Sequence, residues 1–515
     1  MSNTTQQFKK QLPRNFFMQI LSFCTQVGVG IWLVPYLVHY LGIVAYGLIP
    51  LMGMLVQYVG LITANISNAV NHFFTIALQR NDPEEANKVF NTSLASILIL
   101  SAIQLLFLAL ITTSIDKLIN IPPKLYNDAI IFFMCSVGTY IANLVSAIFG
   151  VAMYATNRLD ISRAIDIARH LLRAIGIVSL FYFFSPSLRH VGYVYFVVAI
   201  FLSTSQIFIA KRLIPSLRIS IYYFDITKVI PLLTMGWWLI INQIGALLFL
   251  QMDIWICNRF IGPTAAGEYA AIFQWPALIR NAGAVISSLI APMIMIYYAK
   301  FEFDKLVRLE NIAIRLLSSI LAISIVIICL YSPTLLHLWL GKSFIHLAPL
   351  LTLMLSHLII NVGTLPLFNI QIAMNKIKTP ALITFFSGIL NILLAIVFIK
   401  YLDLGMYGIA LAGALVLTAK NAVFTPLYAA KILNVASFTF IKPYLISIGA
   451  AIIVFSIAYP ITMNLQPSNW IQLIFYSAIL FILALPIIWF SLPKNDKELL
   501  LCTYKTAFAN ISGHK

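Results

Sequence analysis

An all-α polytopic membrane protein of about fourteen transmembrane helices is the fold class the sequence predicts, and three observations predict it. Of 515 residues, 61% are hydrophobic and only 10% charged, whereas a soluble domain carries roughly 25% charged residues. Apolar stretches of about 20 residues or more recur from Phe16 to Leu492, each enough to cross a hydrocarbon core of roughly 30 Å at 1.5 Å per residue. These runs are continuous, without the alternating segments of about 10 residues that mark a membrane β-barrel. Helices then satisfy the backbone in lipid.

Taken in order, the first span, 16–41, follows Lys9, Lys10 and Arg14. It runs far beyond the 7–15 apolar residues of a cleavable signal and lacks a small-x-small cleavage site, so it is expected to remain a helix. Further spans are expected at 45–77, 93–113, 129–155, 165–184, 190–212, 231–258, 266–297, 312–332, 347–374, 380–401, 405–431, 441–464 and 469–492. With the N-terminus inside, 25 of the 33 basic residues fall on the cytoplasmic side, six fall outside, and Arg280 and Lys420 lie within spans. The positive-inside rule therefore places both termini in the cytoplasm. It also accounts for much of the +17 net charge as topology, so no nucleic-acid partner is expected. Cys24, Cys135, Cys257, Cys329 and Cys502 are scattered singly, which supports packing and neither a disulfide framework nor a metal site.

The chain repeats. A shift of 220 residues lays Tyr40-Leu41-Gly42 and Gly47 on Phe260-Ile261-Gly262 and Gly267, and Asn91 on Asn311. A shift of 218 lays Ala155, Asn157, Arg158 and Leu159 on Ala373, Asn375, Lys376 and Ile377. Six helices per repeat is an even number, so both halves enter the membrane from the same side, a parallel arrangement suited to alternating access. The expected organisation is a lobe over 1–215, a second over 216–435, two extra transmembrane helices in 436–492 and a tail, 493–515. Short loops leave no room for a large soluble catalytic domain, so an enzyme is not expected.

Polar groups at membrane depth are the candidate functional residues. Arg280 lies roughly 18 Å into the eighth span and Lys420 at similar depth in the twelfth; their repeat mates (Gly60; Thr204 or Ser205) are uncharged. A cation at helix centre costs at least about 2.5–3.5 kcal/mol, so each should face protein or a watery cavity. Guanidinium and ammonium there would attract an anion, and guanidinium suits bidentate contact with phosphate. The alternative is structural, with both cations pairing to backbone carbonyls or Asp253. Asn65, Asn68 and His72 share one helix face, and Asn242, Gln243, His357 and Asn361 place hydrogen-bonding groups at depth. With Trp237 and Trp238 these amides could meet sugar hydroxyls and sugar faces, although interhelical hydrogen bonding and interfacial anchoring are competing roles.

About fourteen spans, two parallel halves, Tyr40-Leu41-Gly42 followed by Tyr46-Gly47, and Asn375-Lys376 followed by Thr379-Pro380 give a sequence that resembles the polysaccharide-transporter branch of the MOP superfamily, the Wzx-type flippases. The resemblance covers essentially the whole chain and implies a MOP/MATE-like plan of two pseudo-symmetric six-helix lobes plus two C-terminal helices. It implies translocation of an undecaprenyl-diphosphate-linked oligosaccharide, an O-antigen, capsule or exopolysaccharide repeat unit, across a bacterial inner membrane. Arg280 and Lys420 would then contact the diphosphate, and the helices at 441–492 would border the groove for the polyprenyl tail. Implied partners are that lipid-linked saccharide, membrane lipids, a polysaccharide polymerase and a chain-length regulator. No cofactor is expected, and a proton or sodium gradient is compatible as the energy source. Related lipid II flippases carry cavity arginines on the first, second and eighth helices; Arg280 matches the last, while the first two spans here have none. The competing reading is a multidrug-and-toxin-extrusion antiporter, which needs buried acids that the first four spans lack.

Overall fold

In a computed structural model, residues 3–230 and 237–491, with Pro493 and Lys497, are described. Among them there is no strand, and long helices follow the expected order. They are α1 (Asn3–Leu41), α2 (Ile43–Gln79), α3 (Pro83–Thr113), α4 (Tyr126–Ala155), α5 (Leu159–Phe183) and α6 (Leu188–Leu213). Then come α7 (Trp237–Leu250, bent by 44° into Met252–Ile261), α8 (Pro263–Ala299) and α9 (Phe303–Leu330). Next is α10, broken into Ala348–Ser356, Leu358–Gly363 and Pro366–Ala373, followed by α11 (Lys378–Leu402). The last are α12 (Gly405–Ala419, a π-helical turn Lys420–Phe424, Thr425–Ile432), α13 (Lys442–Asn464) and α14 (Trp470–Ser491). Twelve of the described helices are long and apolar enough to cross a membrane, thirteen if the bent pair counts as one span. The expected fourteenth, α5, is 25 residues long, but Asp160, Arg163, Asp166, Arg169 and Arg173 make it too charged to be counted with them.

Helix ends repeat in the backbone as they do in the sequence. Gly42 (φ 81°) separates α1 from α2, and its repeat mate Gly262 (φ 137°) separates α7 from α8, a region of conformational space open to glycine. Asn157 (φ 55°) and Asn375 (φ 52°) close α4 and α10 in the left-handed conformation. In each, the following N–H returns to a carbonyl five residues back, Arg158 N to Met153 O at 2.8 Å and Lys376 N to Gln371 O at 2.9 Å. Asparagine tolerates this conformation better than branched residues do, which explains the shared A-x-N-[RK] signature. At the start of α3, Pro83 occupies the first turn and Asp82 Oδ1 accepts from Glu85 N at 2.9 Å, a capped entry with acids at the positive end of the dipole.

The chain forms two compact units, Met1–Ala271 and Ile272–Lys515. In unit 1 the core joins Ile66, Val70 and Phe74 of α2 to Phe90 and Ile97 of α3 and Ile148, Phe149 and Ala152 of α4. Phe90 meets Phe149 edge-on at 5.2 Å. The loop after α6 is held by two buried amides of α3. Asn87 bonds Ser216 O (3.0 Å) and Arg218 N (2.8 Å), and Asn91 bonds Arg218 O (2.7 Å) and Ser220 N (2.9 Å).

In unit 2, α9 is the central helix. Leu306, Ile314, Ser318 and Ser319 are buried against neighbours; Ser319 Oγ lies 2.9 Å from Ser447 Oγ of α13. A second core gathers Leu306 and Ile314 with Leu367 and Ile370 of α10, Ala429 and Ala430 of α12 and Tyr444 of α13.

Candidate substrate-binding site

Two backbone irregularities in unit 2 assemble the candidate site. Proline has no N–H for the helical ladder, and Pro366 opens the third piece of α10; the preceding break, at His357, leaves a short middle helix, Leu358–Gly363. Asn361 on that piece is 4% exposed. Its Nδ2 lies 2.7 Å from His357 Nδ1, 2.9 Å from His357 O and 3.1 Å from Thr418 Oγ1. Its Oδ1 accepts from Asn421 Nδ2 at 3.0 Å, and Asn421 Oδ1 accepts from Thr425 Oγ1 at 3.3 Å. Asn421 is reachable because α12 widens into the π-helical turn Lys420–Phe424, an irregularity often found at functional positions.

Lys420 opens that turn. It is 7% exposed, and its Nζ lies 5.0 Å from the centre of the Phe368 ring on α10, a cation–π separation. Arg280 on α8 sits 5.5 Å from the Phe273 ring. One turn further along α8, Gly283 permits close approach to α10: a Cβ there would fall 2.0 Å from Val362 Cγ1. Arg280, His357, Asn361 and Lys420, four residues singled out in the sequence, therefore share one region of unit 2. Two cations, an imidazole and paired amides in a low-dielectric setting can bind an anion with hydroxyl groups nearby.

The other expected residues belong to unit 1. On α7, Trp237 and Gln243 are exposed and Trp238 and Asn242 half-buried. His72 on α2 is exposed, with its ring edge-on to Phe73 at 5.2 Å. The side chains of Asn65 and Asn68 lie outside the described residues. Asp253 accepts from Tyr269 Oη at 2.9 Å, an interaction within unit 1.

Sequence reasoning missed Glu310. The ninth span was expected to begin at 312, but α9 begins at Phe303, so Glu310 is inside the helix, 0% exposed, with neither carboxylate oxygen hydrogen-bonded among the described residues. The apolar positions Leu306, Ile314 and Leu317 around it, at helical spacing, were the available signal. The fifth span was expected at 165–184; α5 begins earlier, at Leu159, so Arg163 also lies on the helix, and Arg173, inside the expected span, has its guanidinium 4.3 Å from the Tyr195 ring.

Unit 2 also holds an apolar groove of about 510 Å³. Trp275, Ile328, Tyr331, Leu335, Trp470 and Phe481 contribute to its wall, the last two from α14.

No family model matches the chain. Over 462 residues it is 34% identical to the uncharacterized membrane protein EpsK of Bacillus subtilis (strain 168), covering 89% of this chain and 91% of that protein. The chain belongs to the EpsK family. This EpsK-family fold is similar to the lipid II flippase MurJ in an inward closed conformation, with TM-score 0.65 and 14% identity over 92% of this chain and 98% of that one. It is also similar to an inward-facing MATE family multidrug resistance transporter of the MOP superfamily, with TM-score 0.64 and 16% identity over 80% and 94%. A MOP superfamily transporter from Pyrococcus furiosus, described as having a binding pocket of reversed polarity, matches with TM-score 0.58 and 14% identity over 84% and 95%. The EpsK-family chain thus has the MOP-superfamily transporter fold and is a multi-pass integral membrane protein.

Proposed function

We propose that this EpsK-family protein is a flippase that carries an undecaprenyl-diphosphate-linked oligosaccharide repeat unit from the cytoplasmic to the outer leaflet of a bacterial cytoplasmic membrane, for extracellular polysaccharide assembly. The observation that carries this reading is the gathering of two cations around the broken helix α10 of unit 2: Arg280 lies one turn from Gly283, which packs on Val362, and Lys420 lies beside Phe368, while the intervening segment carries His357 and Asn361. Cations at membrane depth are retained where an anion must be met, and a diphosphate supplies one. Asn361, Asn421 and Thr418 offer partners for sugar hydroxyls, while the groove at Tyr331 and Trp470 suits an isoprenoid chain. A polysaccharide polymerase and a chain-length regulator are the proposed partners, and a proton or sodium gradient the proposed energy source.

The test is depletion of the protein and measurement of lipid-linked oligosaccharide on the cytoplasmic leaflet. Accumulation rescued by wild type and not by Arg280→Ala or Lys420→Ala supports the reading; absence of accumulation overturns it. A cation-coupled antiporter of small organic molecules is the second reading. The fully buried Glu310 favours it, because such exchange uses an acid shielded from water.

A further inference from the structure

Unit 1 contains a polar cavity of about 490 Å³ at its basic end, where α4 finishes and α5 begins. Its wall takes Asn71 from α2, Asn143 from α4, Arg163, Asp166 and Arg169 from α5, and Gln206 from α6. None of these residues belongs to the unit 2 site. The spacing of the α5 residues, i, i+3 and i+6, holds them on adjoining turns of one face.

The three charges are fixed relative to one another. Arg163 Nη1 donates to Asp166 Oδ2 at 3.0 Å and Arg169 Nη1 to Asp166 Oδ1 at 3.0 Å. A single carboxylate thus positions two guanidinium groups and neutralises one, leaving a local charge of about +1. A guanidinium has five N–H donors, so each arginine keeps donors after this contact. Arg169 Nε is buried without a hydrogen-bond partner among the described residues. Gly150, on the same wall, leaves room for an amide: a Cβ there would lie 3.0 Å from Gln206 Nε2.

We infer that this cavity binds an acidic saccharide, a sugar ring bearing a carboxylate or phosphate. The arginine pair takes the oxyanion by charge-assisted hydrogen bonds. Asn71, Asn143, Gln206 and the Asp166 carboxylate take hydroxyl groups, each able to accept and the amides also to donate. A bare inorganic anion would leave those amides and Asp166 unused, and an acyl chain would desolvate all of them at a cost. The volume lies within the roughly 300–1,000 Å³ of small-molecule sites and accommodates one or two sugar rings. The site deepens the proposed function, on which it rests for the lipid carrier attached to the saccharide.

The experiment uses the purified full chain in lipid nanodiscs, titrated calorimetrically with a glucuronic-acid-containing disaccharide, its neutral counterpart and glucose 1-phosphate. At least one acidic probe is expected to bind at least tenfold more tightly than the neutral disaccharide, and the tighter of the two identifies carboxylate or phosphate. Arg169→Gln should erase that preference, and Gln206→Ala should weaken the preferred probe about fivefold, with both variants melting within a few degrees of wild type. Equal binding of acidic and neutral saccharides, no binding, or full affinity in both folded variants overturns the site. Translocation of lipid-linked oligosaccharide is measured separately in vesicles. Arg169-dependent binding without translocation sustains the site and removes the flippase reading; translocation with binding indifferent to Arg169 and Gln206 does the reverse.

Discussion

Gly47 lies directly against Gly267, its own counterpart at the 220-residue shift: a Cβ on Gly47 would fall 2.7 Å from Gly267 Cα. At Gly267 a Cβ would fall 2.1 Å from Ile43 O. Both obstructions are backbone atoms, which cannot swing aside as a side chain can. Gly47→Ala and Gly267→Ala should each destabilise the protein by about 1–3 kcal/mol through overpacking. Thermal unfolding in detergent checks this; an unchanged midpoint in both variants contradicts it.

Arg280 and Lys420 separate by chemistry. Arg280→Lys keeps charge without the planar fork, so translocation should fall several-fold, and Arg280→Ala should lower it at least tenfold. Lys420→Arg should be poorly tolerated, because the buried space beside Phe368 fits an ammonium. Initial rates in vesicles, normalised to folded protein, measure both.

Glu310 is shut away from water with no hydrogen bond to compensate among the described residues. Glu310→Gln conserves shape without a charge to desolvate, and should change stability by less than about 1 kcal/mol or raise it. Glu310→Ala leaves a cavity and should cost about 2 kcal/mol or more. If the Gln variant is as stable as wild type yet loses transport, Glu310 serves coupling.

Asp225, in the loop after α6, accepts from the Thr227 hydroxyl at 2.6 Å and the Thr227 N–H at 3.0 Å. These bonds favour the charged form and hold its carboxyl below the usual range. A lowered folded-state value means the contribution is complete above the unfolded carboxylate value of about 3.9 and is lost as pH falls through the lower folded one. The protection factor of the Thr227 amide, its exchange rate relative to an unstructured amide at the same pH, should therefore hold at pH 5 and fall only in stronger acid. In Asp225→Asn that acid step should disappear.

Asn375→Gly should be nearly neutral at its left-handed φ, whereas Asn375→Val should cost about 1–2 kcal/mol. Equal melting temperatures for the two would remove the conformational explanation of the shared asparagine signature.

Most of the helices were legible because lipid demands long apolar runs and because turn residues repeat: Gly42 with Gly262 and Asn157 with Asn375 mark equivalent ends in both halves. Charge hid the rest. Arg163 fell outside the expected span 165–184, although α5 already starts at Leu159. Glu310 was lost because an apolar window finds the lipid-spanning stretch and not the amphipathic turns before it. Arg280, His357, Asn361 and Lys420 were each visible at depth. Their meeting was not, because it depends on the break in α10 and the widened turn in α12, which hydropathy does not register.

That widened turn also sets a phase. A π-helical turn holds one residue more than an α-helical one, so Gly405–Ala419 and Thr425–Ile432 are out of step by about 100° relative to an uninterrupted helix. Deleting a single residue from 420–424 would let the backbone close into a regular helix with both flanks in their present phase, and would remove the widened turn that presents Asn421. Winding all five residues into an α-helix would instead turn one flank by about 100°, and Thr418 and Thr425, which meet Asn361 and Asn421 from opposite sides of the turn, could not then both stay in place. The insertion works as a spacer of angle, and any alignment of relatives through this helix has to open or close a one-residue gap there to keep the two faces in register.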